Sequence, residues 1–181
     1  MITVRIWFKK QNEASYISLL DLQRVMQRVL TRSALPVWHT LGYNPHIYMT
    51  FTCPLPLGQE SLCESVDVKT EIESPDFAQW QDALNAIMPA GIEVFRVEPV
   101  IMKADKIGFA DYTVRYPAIA LRALEQYNTL DSALVRKKTK RGFKDLELKE
   151  YIPQVVPTID GDMVEYQVRL PAGGQLNLNP S

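Results

Sequence analysis

The chain has 181 residues, of which 46% are hydrophobic. This is enough to bury a core, and the length suits one large domain or two subdomains of roughly 90 residues each. Lysine and arginine number 20 against 21 aspartate and glutamate, so the net charge does not favour nucleic acid or a membrane as a partner. The N-terminus has no apolar run long enough for a signal peptide or a transmembrane helix, which predicts a cytoplasmic protein without a membrane partner. Cys53 and Cys63 have neither metal-ligand spacing nor a disulfide framework around them, and we interpret both as small buried apolar groups.

The first half of the chain predicts the order strand, helix, strand, strand, helix, strand. Alternation with a period of two predicts a strand over 2–9, and Ser18 followed by Asp21 begins a helix that we place at 19–33. Pro36 stops that helix, and the sequence GYNPH at 42–46 predicts a turn. The remaining predicted elements are strands at 48–53 and 65–72, a helix at 75–88 and a strand at 92–102. This order predicts the ferredoxin-like, split βαβ arrangement, in which an antiparallel sheet carries both helices on one face.

The second half partly repeats this plan. Its predicted elements are a strand at 111–116, a helix at 117–128 and strands near 132–135, 143–148, 155–159 and 163–170. We therefore predict an α+β fold with two tandem ferredoxin-like subdomains at 1–103 and 104–181, the second a degraded copy. Because the last residues supply no capping element, we expect this second subdomain to be truncated at the C-terminus.

Two clusters of positive charge are candidate binding residues. Arg24, Arg28 and Arg32 are spaced by four, which stacks three guanidinium groups along one side of the first helix and suits a phosphate chain. Residues 136–144 contain six basic side chains and no acidic one, with Gly142 at the predicted tip of a hairpin and Phe143 available for stacking. Such a hairpin can grip a nucleic-acid backbone, although a solvated surface explains either cluster equally well. The six basic residues are Arg136, Lys137, Lys138, Lys140, Arg141 and Lys144.

The two histidines lie on either side of the predicted turn. His46 is the candidate general base, and Asn44 of the same turn is a candidate binding residue. His39 and His46 together could also form half of a metal site. Neither a carboxylate nor a cysteine lies nearby at ligand spacing, so we predict no metal site. The alternative interpretation is that His46 bonds to the backbone of its own turn and that His39 lies on the surface.

Four separated segments resemble one protein family. Residues 16–24 (YISLLDLQR), 42–46 (GYNPH), 54–58 (PLPLG) and 138–144 (KTKRGFK) are similar to the signature blocks of the radical-SAM-associated DUF2344 proteins, and the match runs from residue 1 to about 180. The chain departs from the usual family pattern at Leu19, where the pattern has His, and at Ile47, where it has Pro. The resemblance implies a domain encoded beside, or fused to, a radical S-adenosylmethionine protein with a cobalamin-binding module. We expect S-adenosylmethionine, the iron–sulfur cluster and cobalamin only in that partner, because two cysteines cannot supply the three thiolates that the cluster needs.

Three functions follow from these observations. The favoured one is a non-catalytic accessory module that holds RNA or another anionic substrate for a radical S-adenosylmethionine partner, in a basic groove formed by both halves. The second is a metal-independent endoribonuclease of ferredoxin-like architecture, with His46 as base and Arg24 or Arg28 stabilising the transition state. The third is a protein-binding scaffold without affinity for nucleic acid.

Overall fold

The computed structural model of the protein describes residues 1–139, 142–173 and 176–180, with the backbone alone at 138 and 139. Over these residues the fold is α+β, with three α-helices and antiparallel sheets. The predicted fold class is therefore confirmed. The chain divides into two compact units, Met1–Lys106 and Ile107–Ser181.

The first unit contains one four-stranded sheet and two helices. Its strand order is β2-β3-β1-β4, and every neighbouring pair is antiparallel. A helix follows β1 and another follows β3, which is compatible with the predicted split βαβ unit. The elements are β1 (Ile2–Lys10), α1 (Leu19–Arg32), β2 (Met49–Phe51), β3 (Ser61–Thr70), α2 (Phe77–Asn85) and β4 (Ile92–Pro99).

The core of this unit lies between one face of the sheet and both helices. Alternate residues of β1 point toward the helices and are buried, as a period of two requires. The apolar residues of α1 recur at helical spacing and pack against these buried residues of β1. Trp80 and Leu84 of α2 belong to the same cluster, so both helices cover one face of the sheet. The cluster includes Val4, Ile6, Phe8, Leu22, Met26, Leu30, Val66, Val68 and Val94.

The segment after β1 packs closely against the start of β4, and this contact depends on Gly91. Gly91, just before β4, has a φ of 81°, a left-handed conformation that favours glycine. A Cβ at this position would lie 2.5 Å from the carbonyl oxygen of Gln11 and 2.9 Å from the Cβ of Ala14. The Gln11 amide also donates to the Gly91 carbonyl at 2.8 Å. Gly91 therefore allows the 3-10 helix Asn12–Tyr16 to pack against the start of β4.

One prediction about the first unit is wrong. Cys63 was interpreted as buried, but it is exposed in β3, while Cys53 is partly buried just after β2. The reason is strand parity: Val66 and Val68 face the core, and Cys63 is an odd number of residues from both, so it points to the other face.

The second unit keeps the order strand, helix, hairpin and final strand. Its elements are β5 (Phe109–Pro117), α3 (Leu121–Thr129), β6 (Leu134–Thr139), β7 (Gly142–Glu147), β8 (Thr158–Asp160) and β9 (Met163–Pro171). Strand β9 pairs with both β5 and β8, whereas β6 and β7 form a separate two-stranded ribbon over the residues described. A second helix, which a complete ferredoxin-like copy would have after the hairpin, is replaced by the 3-10 turn Leu148–Glu150 and β8.

The main buried cluster of the second unit is small. Leu146, Leu170 and Leu178 are its buried members, and Tyr112, Tyr151, Ile152, Val168 and Leu176 pack against them. Within the parts of the chain that the structure describes, no helix has the length and apolar character that crossing a membrane requires.

Candidate anion-binding site

The predicted basic hairpin is formed by β6 and β7. The two strands pair in register from Leu134 opposite Glu147 to Thr139 opposite Gly142. Gly142 has a φ of 126°, which favours glycine where the chain turns into β7. Two of the predicted binding residues, Lys140 and Arg141, lie outside the described residues, as does the side chain of Lys138.

The register separates the basic residues of this hairpin onto two faces. On one face Arg136 is opposite Asp145, and its guanidinium Nε lies 2.9 Å from a carboxylate oxygen. The sequence analysis considered residues 136–144, which contain no acidic side chain. It therefore missed this ion pair, because Asp145 lies one residue beyond that segment. Antiparallel pairing then brings that residue opposite Arg136, so part of the charge of the cluster is neutralised within the hairpin.

The other face of the hairpin places two lysines directly opposite each other. Lys137 pairs with Lys144 in the register, one step beyond the apolar pair of Val135 and Leu146. The Lys137 ammonium donates to the backbone carbonyl of Asn177, whereas Lys144 is exposed. Like charges directly opposite each other on a sheet are destabilising. An anion bound between the two ammonium groups would turn this repulsion into attraction.

Phe143 adds an exposed aromatic ring to the hairpin. Its side chain is 71% exposed, although it lies within a regular strand. It precedes Lys144, so the ring and the ammonium are on opposite faces of the ribbon. An exposed ring of this kind can stack on a nucleobase, and this role of Phe143 stays a prediction.

The arginine row of α1 is on the surface of the first unit. Arg24, Arg28 and Arg32 are all exposed residues of α1. Arg24 forms an ion pair with Asp21 at 3.0 Å, and the Asp21 carboxylate also accepts from the Ser18 hydroxyl at 2.7 Å. The Ser18 hydrogen bond, and then that from Arg24, lower the pKa of Asp21. Arg24 is therefore engaged at the N-terminus of its own helix, which leaves Arg28 and Arg32 as the stronger anion-binding candidates.

The turn around His46 is held together by its own side chains. Backbone pairing joins His39 to Ile47, and the Thr40 amide donates to the His46 carbonyl at 2.8 Å. The His46 Nδ1 atom lies 3.0 Å from the Thr40 hydroxyl and 3.2 Å from the Asn44 carbonyl. These contacts match the alternative interpretation, in which His46 stabilises the turn. His39 and Asn44 are both exposed.

A cation–aromatic cluster in the same region was not predicted. The rings of Trp38 and Tyr48 pack edge to face at 6.2 Å, and the Lys69 ammonium lies 5.2 Å and 4.6 Å from their centroids. A cation over aromatic faces is attracted by their quadrupole. The sequence contained no local signal for this cluster, because strand pairing brings Lys69 of β3 next to residues about 20 to 30 positions earlier in the chain.

The hairpin and the arginine row belong to different units. The lysine pair and Phe143 are in Ile107–Ser181, and Arg28 and Arg32 are in Met1–Lys106. The expectation that they form one basic groove therefore stays a prediction. In the described residues, no group of three or more His, Cys, Asp or Glu side chains is arranged to hold a metal ion.

Comparison with known proteins identifies the family. None of the curated proteins compared with the chain matches it. A family model described as "uncharacterized protein conserved in bacteria" matches residues 3–180, which is nearly the whole chain. The four sequence blocks that suggested this family lie within that range. The protein therefore belongs to the DUF2344 family.

Proposed function

We propose that this protein is a non-catalytic module that holds an anionic ligand for a radical S-adenosylmethionine partner protein, with RNA as the first candidate ligand. The observation that carries the proposal is the direct opposition of Lys137 and Lys144 on the hairpin. The chemistry of the partner would supply the cluster, the S-adenosylmethionine and the cobalamin, and this chain would supply binding and orientation.

The lysine pair supports an anion site on energetic grounds. A like-charged pair on a β-ribbon is destabilising by up to about 1 kcal/mol relative to a neutral pair. At the preceding position of the same ribbon, Arg136 and Asp145 form a complementary pair instead. A phosphate group that bridges both ammonium groups would remove the repulsion and gain two charge-assisted hydrogen bonds.

Other exposed groups of the two units favour RNA among the anions. Phe143 is exposed on the other face of the same hairpin and can stack on a base of any identity. Arg28 and Arg32 add two exposed guanidinium groups, which bind phosphates in a bidentate manner. Binding would be insensitive to sequence and sensitive to salt, because it depends on phosphates and stacking.

The proposal is tested by measuring the affinity for fluorescently labelled single-stranded RNA at several salt concentrations. The double variant Lys137→Ala/Lys144→Ala should bind more weakly than the wild type. Because each single-strand phosphate contact contributes roughly 0.7 to the slope of log K against log salt, the slope should fall by about 1.4. The matched control is Lys103→Ala/Lys106→Ala, which removes two exposed lysines outside the hairpin.

Two results would contradict the proposal. If the hairpin variant and the control variant keep the same slope, the lysine pair is not the anion site. If the wild type has no affinity for RNA at low salt but still co-purifies with the radical S-adenosylmethionine partner, the scaffold function is favoured instead.

The non-catalytic part of the proposal has a separate test. We expect the RNA to remain intact during long incubation with the protein, because the His46 contacts described above are with its own turn. RNA cleavage that disappears in the variant His46→Ala would support the endoribonuclease alternative.

A further inference from the structure

The second unit contains a large apolar cavity. Its volume is about 620 Å³, within the range of small-molecule binding sites. The cavity lies between α3, the hairpin, the segment 148–155, β9 and residues 177–180, all of which belong to the same unit. No Asp or Glu is among the described residues that line it. The apolar lining includes Leu124, Tyr127, Leu146, Ile152, Val168 and Leu170.

The cavity is a pocket that is open to solvent, so its apolar wall is in contact with water when nothing occupies it. Three of the lining residues, Leu146, Leu170 and Leu178, are also the buried members of the main apolar cluster of the unit. The cavity therefore adjoins that cluster, and an apolar occupant would remove its apolar wall from water.

The polar groups of the cavity wall are partly satisfied within the protein. The Tyr127 hydroxyl donates to the Ile152 carbonyl at 2.5 Å. The Tyr127 ring is also in contact with a cation, since the Lys149 ammonium lies 4.2 Å from its centroid. The part of an occupant that lies beside Tyr127 therefore does not need hydrogen-bonding groups.

Positive charge lies at one edge of the cavity. Lys137 is a lining residue, and Lys144 stands opposite it on the same face of the hairpin. Val135, the lining residue that precedes Lys137 by two positions on that face, is 45% exposed, so the cavity opens to solvent at the hairpin. An occupant would therefore have an apolar body in the cavity and an anionic group beside the two lysines.

We propose that the second unit binds single-chain amphipathic anions of the fatty-acid class, with the hydrocarbon chain in the cavity and the carboxylate between Lys137 and Lys144. This inference deepens the proposed function and rests on it in one respect, that the lysine pair binds an anion. It adds the class of ligand that the apolar wall selects, and it does not require affinity for RNA.

The inference is tested with the full chain after removal of bound lipid. The probe is 11-(dansylamino)undecanoic acid, whose fluorescence rises in apolar surroundings, and the competitors are decanoate, dodecanoate and dodecyltrimethylammonium below their micelle concentrations. We expect dodecanoate to compete roughly tenfold better than decanoate, because two more methylene groups are buried. The cationic amphiphile should compete more weakly than dodecanoate.

Variants separate the two parts of the site. Leu124→Trp places a larger side chain in the cavity wall and should weaken probe binding roughly tenfold. The matched control is Gln126→Trp, an exposed position on α3 that does not line the cavity. Lys144→Gln should weaken dodecanoate about two- to fivefold and leave the cationic amphiphile unaffected or improved.

The outcomes also distinguish this inference from the proposed function. Probe binding that Leu124→Trp reduces, while RNA affinity stays at the wild-type value, supports the cavity as a site of its own. No probe binding by the wild type, equal competition by the cationic and anionic amphiphiles, or equal effects of Leu124→Trp and Gln126→Trp would overturn the inference. RNA binding that depends on the lysine pair would in that case still support the proposed function.

Discussion

The buried carboxyl of Glu64 gives the most direct quantitative test of the first unit. Glu64 is on β3, directly opposite Phe8, and it is 6% exposed on the face of the sheet that the helices cover. Burial raises its pKa from 4.5 to about 7, and the positive charge of Lys10 opposes this change only in part. Burial also lowers the pKa of Lys10, against the attraction of Glu64. The site therefore favours the neutral carboxyl.

The direction and size of the pH effect follow from proton linkage. Between pH 4.5 and about 7 the native carboxyl keeps its proton while the unfolded one loses it, so the native state binds more protons and the free energy of unfolding falls as the pH rises. A pKa difference of about 2.5 corresponds to up to about 3 kcal/mol. Below pH 4.5 and above about 7, this group adds no further dependence.

The assay is urea unfolding at pH 5.0 and pH 7.5, followed by tryptophan fluorescence. The three tryptophans of the chain, Trp7, Trp38 and Trp80, are all in Met1–Lys106, so the signal reports the first unit. Glu64→Gln should remove most of the pH dependence and should stabilise the protein at pH 7.5, because it replaces the charge with a neutral side chain of the same shape. The control Glu71→Gln, at an exposed position just after β3, should keep the wild-type dependence. A wild-type stability that is equal at both pH values, or equal effects of both variants, would refute the reasoning.

Three further changes test other parts of the structure. Lys144→Glu replaces the repulsion with Lys137 by attraction, so calorimetry should show the second unit stabilised by roughly 0.5 to 1 kcal/mol while RNA affinity falls; a loss of stability would contradict the register. Gly91→Ala places a Cβ 2.5 Å from the Gln11 carbonyl oxygen at a left-handed φ, and urea unfolding should show a loss of about 1 to 3 kcal/mol; an unchanged midpoint would mean that this contact is absent. Asp76→Ala removes the carboxylate that accepts two amides at the start of α2, and a loss of about 1 kcal/mol is expected by the same method, whereas Asp82→Ala, a non-capping acid on that helix, should have a smaller effect.

Much of the fold was predictable because its signals are local. Ser18 caps α1 as predicted, through the Asp21 amide at 3.1 Å, and the apolar stripe of that helix is buried. Apolar and polar residues alternate over 2–9, and this segment forms β1 with its apolar residues Val4, Ile6 and Phe8 buried. The helix predicted at 75–88 is shorter, at Phe77–Asn85, and it starts at Phe77 because the Asp76 carboxylate caps it.

The candidate site was predictable only in part. The hairpin could be foreseen from Gly142 and the flanking strands, but the ion pair of Arg136 with Asp145 depends on the register of two strands. The burial of Lys10 at the end of β1 was also unforeseen, because a lysine at a strand end is usually solvated. The apolar cavity had no sequence signal, since its walls come from five separated segments of the second unit.

The sequence by itself determined the family, the α+β class and the order of most elements, because periodicity, caps and turn residues act over a few neighbouring positions. Only the tertiary structure decided which charges are neutralised, which lysines oppose each other, and where the second unit has an apolar cavity. These properties depend on the register between strands and on packing between distant segments, and a shift of one residue in register would move every side chain of a strand to its other face.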